Sequence, residues 1–150
     1  MKKLLATICA ASLLIGGCVE NSQATSANVD TSISIEVNGK TFMATLEDNP
    51  TAKAFAEMLP LECSMKELNG NEKYFYLNED LPKDSVRIGQ IHAGDLMLFG
   101  SDCLVFFYKD FSTSYSYTRL GKVDKPADLL ETLGSDNVYV RFNKFQEGFK

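Results

Sequence analysis

The residues able to carry chemistry in this chain are few. His92 is the single histidine among 150 residues and stands in Ile91-His92-Ala93-Gly94-Asp95. An imidazole titrates near neutral pH, so it can bind or shuttle a proton when a partner such as Asp95 orients it. A nitrogen of His92 can equally tie down the turn before Gly94 and Asp95. The run Tyr115-Ser116-Tyr117-Thr118-Arg119 offers a different capacity. In a strand alternate residues share a face, so Tyr115, Tyr117 and Arg119 would present two amphipathic rings and a cation in a row. Tyr and Arg anchor many binding surfaces, and a guanidinium stacks on a ring. A cross-strand ladder with no ligand would use the same residues. Tyr74 and Tyr76 join this face if their strand lies alongside.

The cysteines divide by position. Cys9 and Cys18 lie in the opening segment, while Cys63 and Cys103 lie in the body of the chain. Cys63 and Cys103 can pair, closing a loop whose constraint contributes roughly 4 kcal/mol in the chain-entropy model. They can also remain two buried thiols in strands, since free Cys behaves as a small hydrophobe, and that is the expectation adopted. There is no Cys-x-x-Cys, no Gly-rich phosphate loop and no Gly-x-Ser-x-Gly elbow. One histidine and scattered carboxylates are too few for a zinc-type cluster. No metal and no cofactor are expected, and no residue is assigned as catalytic. The candidate binding residues are His92, Tyr115, Tyr117 and Arg119.

The opening residues predict an address. Lys2 and Lys3 precede an apolar run from Leu4 to Ile15, then Gly16 and Gly17, then Cys18. That order is a secretory signal peptide over 1–17, too short for a spanning helix, which needs roughly 20 apolar residues. "LLIGGC" resembles a bacterial lipobox. The resemblance implies diacylglycerol transfer to Cys18, cleavage before it and acylation of the new amino group. Residues 18–32 read as a lipidated flexible tether, small and polar. The expected place is the bacterial cell envelope, lipid-anchored to a membrane on its extracytoplasmic side. The mature chain loses two lysines and no acid, leaving about −7 formal charge. No basic run interrupts this, so nucleic acid is not an expected partner.

Residues 33–150 have the length of one domain, and 45% of the chain is hydrophobic. Runs at 33–37 and 41–46 flank Asn38-Gly39, the signature of a type I′ hairpin, in which both central residues need positive φ. Asn49 and Pro50 open a helix that Pro60 stops. Strands are expected at 61–65, 74–77, 95–100, 103–110, 115–123 and 137–142, with a long loop at 78–90. A second helix is expected between Asp124 and a Gly134 C-cap. Along 103–110, Cys103, Val105 and Phe107 face one way and Leu104, Phe106 and Tyr108 the other, and both faces are apolar. Such a strand is covered on both sides. One face should fill a barrel and the other should lie under a helix. The fold class expected is mainly β, a closed barrel of about eight strands with two helices.

The blocks "IEVNGKTFMATLEDNPTAKAFAEMLPL", "IHAGDLMLFG", "CLVFFYKDFS" and "YSYTRLGKV", in that order, resemble bacterial cyclophilin-like domains of the small, non-eukaryotic type, across nearly all of 33–143. The resemblance implies the cyclophilin-like β-barrel; one fold hosts many activities. Cyclophilins proper are prolyl isomerases with a catalytic Arg, a Phe-Met-x-Gln strand, and a Trp and a His in the proline pocket. This chain has no Phe-Met-x-Gln and no Trp, and His92 lies outside any cyclophilin His context. The expected function is therefore a membrane-anchored, non-catalytic module binding a peptide or small ligand. The alternative is a divergent prolyl isomerase acting on envelope proteins, with Arg119 polarising the prolyl amide.

Overall fold

The computed structural model describes residues 31–146. The signal peptide, Cys18 and nearly all of the tether lie outside them. The first hairpin forms as its turn residues require: β1 (Ser32–Val37) and β2 (Lys40–Leu46) pair antiparallel. Asn38 and Gly39 between them both hold positive φ, 48° and 79°. Helix α1 (Pro50–Glu57) follows, its Asn49 side chain accepting from the Ala52 amide at 2.7 Å and donating to the Arg119 carbonyl at 2.8 Å. One residue thus caps the helix and pins it to a distant strand.

Strands β3 (Leu61–Leu68), β4 (Glu72–Tyr76), β5 (Val86–Ile91), β6 (Asp95–Phe99), β7 (Cys103–Phe107) and β8 (Phe111–Val123) come next, then helix α2 (Leu129–Leu133) and strand β9 (Val138–Lys144). Their order is β2-β1-β9-β3-β4-β7-β6-β8-β5, and β2 pairs again with β8. That last pairing closes eight strands into a ring, the barrel expected; β5 hangs on β8 outside it. Gly121 makes closure possible. Its α-carbon stands against Leu46 and the Thr45 carbonyl, and a Cβ there would collide with both.

The barrel holds the main core, in which Ile35, Phe55, Leu96, Leu104, Phe106, Leu120, Val140 and Phe142 are fully buried. Helix α1 connects β2 to β3 and drives Phe55 edge-on against Phe142, 5.8 Å between centroids. Helix α2 connects β8 to β9 and contributes Leu129 and Leu133 to the same core. The two helices close opposite ends of the barrel, because β2 ends at the end where β9 finishes and β8 ends at the end where β9 begins.

Beside α2, Lys73 is wholly buried. Its ammonium donates to Glu67 Oε2 at 2.5 Å, Gly134 O at 2.8 Å and Asp136 O at 2.6 Å. Tyr108 lies under it, ring centroid at 5.0 Å, and donates its hydroxyl to Glu67 Oε1 at 2.6 Å. Every donor of the ammonium is engaged, which is what a charge without water requires.

Three sequence expectations need correction. Residues 78–90 are not all loop: β5 begins at Val86, its register against β8 shifts between Arg87 and Gly89, where Gly89 has φ 76°, and no clean alternation announces it. The second helix is a single turn from Leu129, not a helix from Asp124. The outer face of β7 lies under the β5–β8 ribbon, not under a helix. The parity itself holds. Leu104, Phe106 and Tyr108 enter the barrel, and Cys103, Val105 and Phe107 form a second core with Ile91, Met97 and Tyr117.

Candidate functional site

The second core exists because β8 changes partners. Residues 111–117 pair with β5, whereas 118–123 pair with β6 and β2. The first half folds as a ribbon over the outer wall formed by β6 and β7. Phe107 is clamped there, with Tyr117 edge-on at 5.4 Å and Phe111 at 5.7 Å.

The ribbon does not cover the whole wall. Register places Tyr76 opposite Cys103 and Cys103 opposite Phe99, a row across β4, β7 and β6. Cys103 is buried, but Tyr76 and Phe99 are 61% and 46% exposed, and Tyr115 on the ribbon is 64% exposed. Phe99 joins the two halves of β8's aromatic set: Tyr115 meets it edge-on at 6.2 Å and Tyr117 at 5.6 Å. Tyr74 packs edge-on against Tyr76 at 5.9 Å and against the second core. The result is an exposed aromatic strip, floored by buried apolar side chains and continued along β4 by Glu72. Residues 72, 74 and 76 share the outer face because Lys73, between them, points into the barrel.

The sequence candidates part company here. Tyr115 belongs to the strip. Tyr117 is its buried support, and burial pushes its hydroxyl up to about 12. Arg119 stands opposite Met97, past the change of partner, and is exposed at a separate cleft of about 280 Å³ between the start of α1, Pro82, Asp84 and Thr118. His92 sits in the turn between β5 and β6, at the opposite end of β6 from Phe99. That separation is roughly 13 Å at a strand's rise per residue. The His92 amide donates to Asp95 Oδ2 at 2.9 Å, and the Asp95 amide donates back to the His92 carbonyl at 3.0 Å. The backbone, not the ring, ties that turn. The four candidates therefore do not form one groove. Phe99 and Glu72 were not among them; the signal for Phe99 was its place as the last apolar residue of a strand before Gly100.

The strip offers rings, a carboxylate and an apolar floor. Cys63 and Cys103 are both free and buried. Desolvation raises their thiols to about 12 and about 11 respectively, with Asp102 and Glu72 adding to the rise at Cys103. Thiols so protonated are poor nucleophiles. Among the described residues there is no cluster of three His, Cys, Asp or Glu able to hold a metal.

A family model described as "Cyclophilin-like family" matches residues 35–143. No curated protein matches the chain. Among solved structures, McbB, determined in complex with tryptophan, is similar at a TM-score of 0.56 and 16% identity, covering 79% of this chain and 46% of McbB. The hypothetical protein AF2241 from Archaeoglobus fulgidus, solved in solution, is similar at a TM-score of 0.53 and 18% identity, covering 78% of this chain and 96% of that one. The chain spans less than half the length of McbB. At such identities the likeness concerns the fold alone.

Proposed function

The chain belongs to the cyclophilin-like family, and on that premise we propose that it is a membrane-anchored lipoprotein whose barrel binds an extended peptide along its outer wall. One observation carries the binding reading: Tyr76, Phe99 and Tyr115 remain exposed on a wall whose neighbouring rows are buried. Grouped exposed rings on a rigid sheet mark an interaction surface. A closed barrel with its interior filled by side chains leaves the outer wall as the place for a guest. The anchor rests on the opening residues and Cys18, and it sets the domain on the extracytoplasmic side of the envelope.

The test is peptide binding by the full-length chain in mild detergent, followed by fluorescence anisotropy with a panel of labelled nonapeptides. Phe99→Ala with Tyr115→Ala should weaken binding at least ten-fold, and Arg119→Ala and His92→Ala should not. Unchanged affinity in the double variant would sink the assignment. The isomerase reading keeps one supporting observation, the exposed Arg119 at the rim of its own cleft. A protease-coupled cis–trans assay decides it, and rates equal to buffer remove it. For the anchor, Cys18→Ser should abolish palmitate labelling and membrane retention; persistence of both refutes it.

A further inference from the structure

Glu72 is a half-buried carboxylate on the aromatic wall, at the end of the strip farther from Phe99. Its neighbours across the strands are Phe107 on one side and Leu68, 41% exposed, on the other. Along its own strand come Tyr74 and Tyr76. Other wall and barrel-end glutamates have cations: Glu36 and Glu62 meet Arg141, and Glu67 meets Lys73. Glu72 has no salt bridge and no hydrogen bond to its carboxylate among the described residues. Burial, then the nearby Glu67, pushes its carboxyl above the usual range. Folding has placed a charge where water is scarce and supplied no counter-charge.

We propose that this wall selects a positively charged side chain: Glu72 receives the Lys or Arg of an extended peptide whose apolar residues lie over Tyr74, Tyr76 and Phe99. The inference rests on the peptide-binding reading above and names what that peptide carries. A cation would restore the stabilisation that burial removes from the carboxylate, while its aliphatic stem lies on a ring and its head approaches a ring face. The chain's excess of acidic over basic residues, 20 against 15, favours such a guest. Geometry fixes the spacing. Side chains on one face of a strand recur every other residue, so Glu72, Tyr74 and Tyr76 match a guest reading basic–x–apolar–x–apolar.

The probe is the peptide Phe-Ser-Leu-Ser-Arg-Ser-Leu-Ser-Phe, which offers that spacing in either direction, and its twin with citrulline for arginine. Against the full-length chain in mild detergent, the arginine peptide should bind roughly ten-fold more tightly, the equivalent of about 1.4 kcal/mol. Glu72→Gln should remove that preference and bind the two peptides equally through their apolar residues, which also shows that the variant is folded. Phe99→Ala with Tyr115→Ala should weaken both peptides alike. Equal affinity of the two peptides for the unaltered chain would overturn the charge inference and leave the binding wall standing. A preference that survives in Glu72→Gln would overturn the role of Glu72. Binding of neither peptide would overturn both readings.

Discussion

Removing Glu67 should be more damaging than its place near the surface suggests. Its side chain keeps 19% exposure, but the ammonium it faces on Lys73 has none. In Glu67→Leu that ammonium retains only the carbonyls of Gly134 and Asp136 and the Tyr108 ring. Breaking a buried pair from one side typically costs about 3–5 kcal/mol, because a charge is left without compensation. Two surviving acceptors place this case near the low end, about 3 kcal/mol, or a Tm lower by roughly 10 °C for a domain of this size. Lys73→Met should cost less, about 2 kcal/mol, since the carboxylate left behind reaches water and keeps the Tyr108 hydroxyl. The double variant removes both charges and should lose less than the two singles together, by about 2 kcal/mol of coupling. Urea unfolding followed by circular dichroism measures all three. The acid limb supplies a second check. Burial alone would raise the Glu67 carboxyl, but hydrogen bonds from Lys73 and Tyr108 outweigh it and hold it below the usual carboxylate range. A lowered acid stabilises the fold fully above its unfolded value and loses that contribution as pH falls through the folded one. The gap between the unaltered chain and Glu67→Leu should therefore narrow below about pH 4.5. A loss under 1 kcal/mol, or strictly additive singles, would refute the picture of one buried ionic unit.

Glu72→Gln should behave in the opposite sense. A carboxyl raised in the fold penalises the charged state above its folded pKa, so this variant should be modestly more stable at pH 7 and indistinguishable from the unaltered chain below about pH 4 in the same unfolding assay. Gly121→Ala should cost about 2–3 kcal/mol by wedging the β2–β8 seam apart, with hydrogen-exchange protection lost first in those two strands. Asn49→Ala should cost about 1–2 kcal/mol in thermal melts, since both the cap and the bond to Arg119 disappear. Neither Cys63 nor Cys103 should react with a disulfide reagent in the native chain at pH 8, and both should react in urea.

Much of this fold was legible because its signals are local. The Asn38-Gly39 turn, the Asn49 cap and the two-faced apolar run at 103–107 each depend on a few consecutive residues, and each appears where those residues require it. Two of the errors have one source. Val86, Ile88 and Ile91 are apolar at spacings of two and three, across a break in register at which Gly89 takes a positive φ, and no alternation survives to be read. Missing β5 meant missing the ribbon, and a helix was then expected to cover β7. Lys73 gave no warning either, since a lysine between Glu72 and Tyr74 reads as solvent-facing until the barrel interior claims it.

By itself the sequence determined which residues share a side: 103 with 105 and 107, and 115 with 117. Alternation is a property of one strand and needs no partner. What covers each side was decided in three dimensions. The change of partner at Thr118 buries Tyr117, leaves Tyr115 in solvent, turns Arg119 toward another cleft and sets His92 at the far end of β6. Phe99 and Glu72 enter the candidate site only through cross-strand register, which is fixed by closure of the whole ring and not by any segment of it.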